Sequence, residues 1–172
     1  MITKRLYTSS DELERFLAAA ALRGFENNSN LDVMKWDWCI DVGGAWFGTY
    51  DASGSMVSIS GIHPFEDGYR ALFRGAQLES RPIGINKYHM QSYCFHSQLP
   101  YQIQFSKRYR PIYITTNPSN DASGMMIRID KTFELLERLD MVKFVGKSDI
   151  FAVPQNVWQL NVDRYTEIRA RF

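Results

Sequence analysis

The stretch from Ala45 to Leu78 most constrains this chain, because it has room for three strands in succession and no helix between them. Ala45 to Tyr50 (AWFGTY) is aromatic-rich. Asp51-Ala52-Ser53-Gly54 behind it is turn chemistry, a side-chain acceptor followed by a residue free to take positive φ. Ser55 to Ile62 alternates Met56, Ser58 and Ser60 with Val57, Ile59 and Gly61, a period of two that sends successive side chains to opposite faces. A loop is expected over His63 to Gly68, and Tyr69 to Leu78 reads as a longer strand. Strands this close in sequence predict an antiparallel meander.

Beyond Leu78 the rhythm changes. Asn86 to Arg108 is helical in pattern, with Pro100 expected to break or kink it. Pro111 to Thr116 (PIYITT) is a compact β-branched run, expected to be a buried strand. Ser119 to Leu139 is helical again, with Met126, Ile129, Phe133 and Leu136 spaced by three and four. Lys143 to Val153 and Val157 to Val162 are two last strands joined at Pro154-Gln155-Asn156, and the final residues read as a polar tail.

Ahead of the meander, Ile2 to Tyr7 is a short strand. Ser9-Ser10-Asp11-Glu12 is a capping box that opens a helix with Leu13, Phe16, Leu17 and Ala20 on its apolar side and Gly24 at its end. A short second helix falls around Leu31 to Trp36. The order β-α-α-β-β-β-α-β-α-β-β predicts an α/β (mixed α+β) fold, a mixed and mostly antiparallel sheet with helices on both faces. Its crossover helix implies a parallel strand pair, and such a pair opens a crevice at the strand ends where ligands bind.

The 172 residues hold no repeat, low-complexity segment or long linker, so a single domain over residues 1–172 is expected. Hydrophobic residues at 45% and aromatics at 14% place the chain among globular proteins. With 20 basic and 19 acidic side chains, no global field draws it to nucleic acid or acidic lipid. Lys107, Arg108 and Arg110, near Tyr101 and Tyr109, offer either a local basic patch or a solvated helix end.

Cys39 and Cys94 are too few for a disulfide framework or a structural zinc site. His89, Cys94 and His96 do not share one helical face, so no metal is expected. No apolar run reaches membrane-spanning length and the first residues lack a secretory pattern, so the expectation is a cytoplasmic protein without a membrane partner.

Between the strand ending at Leu78 and the helical pattern beginning at Asn86 stands Glu79-Ser80-Arg81-Pro82-Ile83-Gly84-Ile85-Asn86-Lys87-Tyr88. Consecutive backbone N–H groups at a helix N-terminus attract phosphate oxygens. Gly84 lets the backbone approach a ligand closely, and Arg81 and Lys87 add positive charge. By this junction, and by element order along nearly the whole chain, the sequence resembles the GNAT superfamily of N-acetyltransferases. The family signature Arg/Gln-x-x-Gly-x-Gly/Ala reads here Arg81-Pro82-Ile83-Gly84-Ile85-Asn86. The first Arg and the central Gly match, Asn86 stands in the last position, and Pro82 removes one N–H. Thr115-Thr116-Asn117-Pro118-Ser119-Asn120-Asp121-Ala122 is similar to the family's fifth-strand exit. Many relatives carry a Tyr early in the next helix, where this chain has Ser123, Met125 and Met126. Many carry a glycine in the turn after it, where this chain has Asp140.

The resemblance implies acyl transfer from acetyl-CoA to an amine, a small molecule or a peptide, by direct attack within a ternary complex. The pyrophosphate would lie on Arg81, Ile83, Gly84, Ile85, Asn86 and Lys87. The pantetheine arm would run between splayed strands, against Leu78, Ser80 and Asn117. Transfer needs a route for the amine's proton, donors for the oxyanion and a proton for the leaving thiolate. Glu79 at the strand end and His63, with Glu66 in the same expected loop, are the proton-acceptor candidates; Glu79 also reads as a solvated carboxylate. Tyr113 either faces the cleft or packs, and Trp36, Trp38, Trp46 and Phe47 either line an acceptor pocket or fill the core. Many relatives are dimers, so a homodimer is a further implication. The alternative is a GNAT-shaped module that has lost catalysis and serves acyl-CoA sensing or protein interaction, which Pro82, Asn86 and the missing Tyr favour.

Overall fold

The computed structural model describes residues 1–7, 33–76, 97–116, 125–150 and 153–171. In chain order they build β1 (Ile2–Leu6), α1 (Val33–Asp41), β2 (Ala45–Tyr50), β3 (Met56–Phe65), β4 (Gly68–Ala76), a helix α2 over residues 97–105, β5 (Ile112–Thr116), α3 (Met125–Arg138), β6 (Val142–Ile150), β7 (Val153–Leu160) and α4 (Val162–Arg169). The strand order is β1-β2-β3-β4-β5-β7-β6 in a seven-stranded sheet. The pairs β1–β2, β2–β3, β5–β7 and β6–β7 are antiparallel. Tyr69 N–H donates to Pro111 C=O at 2.9 Å, so β4 and β5 begin side by side and run the same way. The sheet is therefore mixed. The chain clusters into two compact units, Met1–Pro64 with Ala71–Phe105, and Phe65–Arg70 with Ser106–Phe172.

In the first unit, local chemistry sets the turns. α1 closes in a Schellman motif: Gly43 takes φ 89°, its N–H donates to Ile40 C=O at 3.0 Å, and Gly44 N–H donates to Cys39 C=O at 2.7 Å. After β2, Asp51 Oδ1 accepts from Ser53 Oγ at 2.6 Å, Ser53 N at 2.9 Å and Ser55 N at 3.0 Å, while Gly54 takes φ 84°. The Ser53 hydroxyl first, and then the backbone N–H of Ser55, hold the Asp51 carboxyl below its usual value of 3.8. Cys39, Trp46, Tyr50, Met56 and Ile59 form a buried cluster, with Leu6, Trp38 and Ile40 against it. β3 is buried from Met56 to His63 on both faces, which takes Ser58 and Ser60 out of water and obliges them to find partners.

In the second unit, Ile112 and Ile114 are buried in β5, and Phe133 of α3 packs on Trp158 of β7 with ring centroids 5.7 Å apart. α3 ends at Asp140, which takes φ 58° while Met141 N–H reaches back to Leu136 C=O at 2.9 Å. Aspartate tolerates this left-handed conformation better than most residues, and so fills the glycine's place.

Four sequence expectations need correction. β3 runs on to Phe65, so His63 lies in a strand and the turn is confined to Glu66 (φ 50°) and Asp67. β6 and β7 meet at the Ile150–Val153 pair, so Pro154, Gln155 and Asn156 belong to β7 and not to a turn. The helix is not broken at Pro100, since residues 97–105 are helical on both sides of it; its fixed φ suits a helix, although a proline inside one gives up an N–H and crowds the carbonyl four residues back. The supposed polar tail is α4, capped by Asn161, whose side chain accepts from Arg164 N at 3.1 Å, and anchored by buried Tyr165. One aromatic and a cap suffice there, too little apolar pattern to show in the sequence. The capping box at Ser9 to Glu12, the helix with Leu13 to Ala20 and Gly24, and the pattern over residues 86–96 lie outside the described residues.

Candidate functional site

The alternation of a strand sends Thr115 and Thr116 to opposite faces of β5, and each makes a different bond. Thr115 Oγ1 accepts from Nε of fully buried Arg70 at 2.9 Å. Thr116, the last residue of β5, donates its hydroxyl to Asp130 Oδ1. Asn156 Nδ2 donates to the same oxygen at 2.9 Å, and Trp158 Nε1 donates to Thr116 Oγ1 at 2.9 Å. Register places these partners on one face, since Thr116 pairs with Asn156 and Ile114 with Trp158. Three elements, β5, α3 and β7, thus converge on one half-buried carboxylate at the carboxyl end of β5, the end of a parallel strand where open sheets place ligands.

The geometry divides the carboxylate's two oxygens. Oδ1 is committed to Thr116 and Asn156, while Oδ2 makes no hydrogen bond and Asp130 no ion pair among the described residues. Sequence reasoning passed over Asp130, although a signal was there. It stands four residues after Met126 and three before Phe133, so an acid interrupts the apolar stripe of α3.

At the opposite end of β5, Tyr113 donates its hydroxyl to Asp67 Oδ1 at 2.6 Å and meets Phe65 edge-on at 5.7 Å. Burial first, then the bond to Asp67 and the charges of Asp67 and Glu66, push its phenol up to about 12. Such a phenol keeps its proton at neutral pH.

In the first unit, His63 is 4% exposed, its Nδ1 lies 2.8 Å from Pro64 C=O, and the Trp38 ring stands edge-on at 4.8 Å. A carbonyl only accepts, so Nδ1 carries a proton. Trp46 and Phe47, at 2% and 3% exposure, are core. Lys107, Arg108, Tyr109 and Arg110 form an exposed turn after α2, with Lys107 at φ 57° and Arg108 at φ 66°. Glu79, Leu78, Ser80, Arg81, Ile83, Gly84, Ile85, Asn86, Lys87 and Asn117 lie outside the described residues, as do His89, Cys94 and His96. Among the described residues no group of three or more His, Cys, Asp or Glu side chains is placed to hold a metal, and no helix is long and apolar enough to cross a membrane.

No family model and no curated protein matches the sequence. Solved structures do match. The aminoglycoside 6'-N-acetyltransferase from Enterococcus faecium superposes with a TM-score of 0.57 at 14% identity, over 92% of this chain and 95% of that one. An aminoglycoside 6'-N-acetyltransferase complexed with coenzyme A gives 0.57 at 13% identity, with the same 92% and 95% coverage. A GNAT-family acetyltransferase from Staphylococcus aureus Mu50 gives 0.52 at 11%, over 94% and 99%. An acyl-CoA N-acyltransferase from Pseudomonas aeruginosa gives 0.55 at 9%, over 92% and 97%. The fold is that of the GNAT acetyltransferases, which these structures match over more than nine-tenths of the chain.

Proposed function

We propose that this chain is an acetyl-CoA-dependent N-acetyltransferase that passes its acyl group to an amine by direct attack within a ternary complex. The observation that carries the reading is the likeness to GNAT folds along more than nine-tenths of both chains, with one such neighbour holding coenzyme A. The donor chemistry fits the co-substrate. Arg81 and Lys87 supply positive charge, and Gly84 leaves backbone N–H groups unobstructed for phosphate oxygens, in the segment between β4 and α2. Leu78 and Ser80 would bond the pantetheine amides through their backbone, and Asn117 would meet them at the exit of β5.

A neutral amine must lose a proton as it attacks. The burial of His63 keeps it from a solvent-borne amine, which favours Glu79 as the group that takes the proton, directly or through water.

The test is a thermal midpoint with and without excess acetyl-CoA. A ligand at about 100 times its Kd stabilises a folded protein by roughly 2.7 kcal/mol. A rise in wild type that vanishes in Gly84→Asp supports the cofactor loop, and no rise in wild type overturns the reading. Binding without transfer to any amine would select the acyl-CoA-sensing module instead.

A further inference from the structure

In the second unit two turns of opposite charge meet where β4 and β5 begin. Glu66 and Asp67 lead into β4, and Lys107, Arg108, Tyr109 and Arg110 lead into β5. Tyr69 N–H bonds Pro111 C=O at 2.9 Å, and Gly68 lies so close to that carbonyl that no side chain would fit, which makes the two turns neighbours. Glu66, Asp67, Lys107, Arg108 and Arg110 are all exposed. None of them makes an ion pair among the described residues, and Asp67 bonds only the Tyr113 hydroxyl.

The basic turn is held in a costly shape. Lys107 and Arg108 take φ 57° and 66°, and Tyr109 N–H donates to Lys107 C=O at 2.8 Å, which closes a three-residue turn of the rare positive-φ kind. Buried Ser106 and Ile112 pin its two ends. The turn holds Tyr109 out at 94% exposure, with no ring or cation against it among the described residues. A turn already rigid loses little freedom on binding, and Tyr and Arg are residue types that commonly anchor interfaces. The acidic turn has an aromatic counterpart beside it. Phe65 and Tyr113 are half-buried and meet edge-on at 5.7 Å, with Asp67 on the Tyr113 hydroxyl. One end of this unit thus carries an exposed aromatic among cations and an aromatic pair beside acids.

We propose that this end of the second unit is a self-complementary docking surface for a second copy of the chain. Tyr109 of each copy lies against Phe65 and Tyr113 of the other, and Arg108 and Arg110 face Glu66 and Asp67. A two-fold axis makes every such contact twice, and each acidic turn meets a basic one. A polyanion such as a nucleic acid fits worse, because Glu66 and Asp67 repel the phosphates that the cations attract. The surface is independent of the transferase reading.

The experiment is sedimentation equilibrium of the full chain at low and high salt. Expected is a reversible dimer that weakens as salt rises. Tyr109→Ser should weaken it by about tenfold or more, the scale of an interface anchor, while its exposure leaves the fold of the single copy intact. Arg108→Glu combined with Arg110→Glu should weaken it likewise, and so should Glu66→Lys. An equimolar mixture of those two charge variants should form a mixed dimer tighter than either forms alone, which misfolded variants could not do. A wild-type chain still monomeric at about 100 μM overturns the proposal with no variant needed. A dimer indifferent to salt and to Tyr109→Ser, or a mixture no tighter than its components, overturns it as well. A monomer that shifts an oligonucleotide in a gel does the same and gives the basic turn to a nucleic acid.

Discussion

The first unit and the second each fasten a helix to strands with polar bonds, yet they use opposite chemistry. In the first, Gln98 and Gln102, one turn apart on α2, are fully buried and donate to Ser58 at 2.7 Å and to Ser60 at 3.0 Å. Both Oε1 atoms are buried without a hydrogen-bond partner among the described residues. Gly61 C=O, 3.2 Å from Gln102 Nε2, fixes that amide's orientation, because two acceptors cannot bond each other. In the second, Asp130 is charged, half-buried, and keeps its unbonded oxygen where it is not sealed from water. The difference teaches where each group is tolerable. An amide left half-bonded in a dry interior loses a hydrogen bond, whereas an ion left there loses its hydration as well.

The hardest test of this contrast is to move the charge. Gln102→Glu would place a carboxylate against the Gly61 carbonyl, with the Ser60 hydroxyl as the one donor now beside that side chain among the described residues, and should destabilise by about 3 kcal/mol at neutral pH. The buried acid's folded pKa would rise above its unfolded value, so stability should recover as pH falls through that raised pKa. Urea melts at neutral and acid pH would show it, and a pH-independent loss would mean that the site admits water.

Removing charge and bonds together in Asp130→Ala strands Thr116 and Asn156, and should lower stability by about 2 kcal/mol, in the range for hydrogen bonds to a charged group. A melt unchanged from wild type would show that the cluster does not fasten α3. A smaller effect is expected of Gln98→Met. Thr49 retains Thr3 at 2.9 Å and Ser97 at 3.2 Å, so the loss should be about 1 kcal/mol or less. A loss as large as that of Asp130→Ala would erase the distinction between amide and carboxylate.

The smallest effect belongs to Tyr113. Its folded pKa, near 12, lies above the ordinary 10.0, so its contribution is complete below pH 10 and disappears as pH rises through about 12. Over that window wild type should lose slightly more stability than Tyr113→Phe. Parallel curves for the two would show that the bond to Asp67 contributes nothing.

The sequence carries the local chemistry well. Ala45 to Tyr50 is β2 residue for residue, Asp51 to Gly54 is the turn that side-chain acceptor and glycine predict, and PIYITT is the buried β5 from Ile112. These features depend on neighbours a few residues away, and their cause is written in consecutive letters. The candidate site was less legible. Its acid could be seen to interrupt the stripe of α3, but nothing in the sequence says that Asn156, 26 residues later, would donate to it. His63 was expected in a loop, and β3 carries it into the interior instead.

What the sequence determined by itself was therefore the order and kind of most elements and the residues of their turns. Tertiary structure alone decided which polar groups became partners: Thr116 with Asp130, Arg70 with Thr115, the two glutamines with the serines of β3. It also decided that the last residues form α4, which Asn161 caps while its N–H bonds the Met141 carbonyl at 2.9 Å. Propensity and turn chemistry act over a few bonds. The pairing of a buried donor with an acceptor is enforced only once distant segments have excluded water from both.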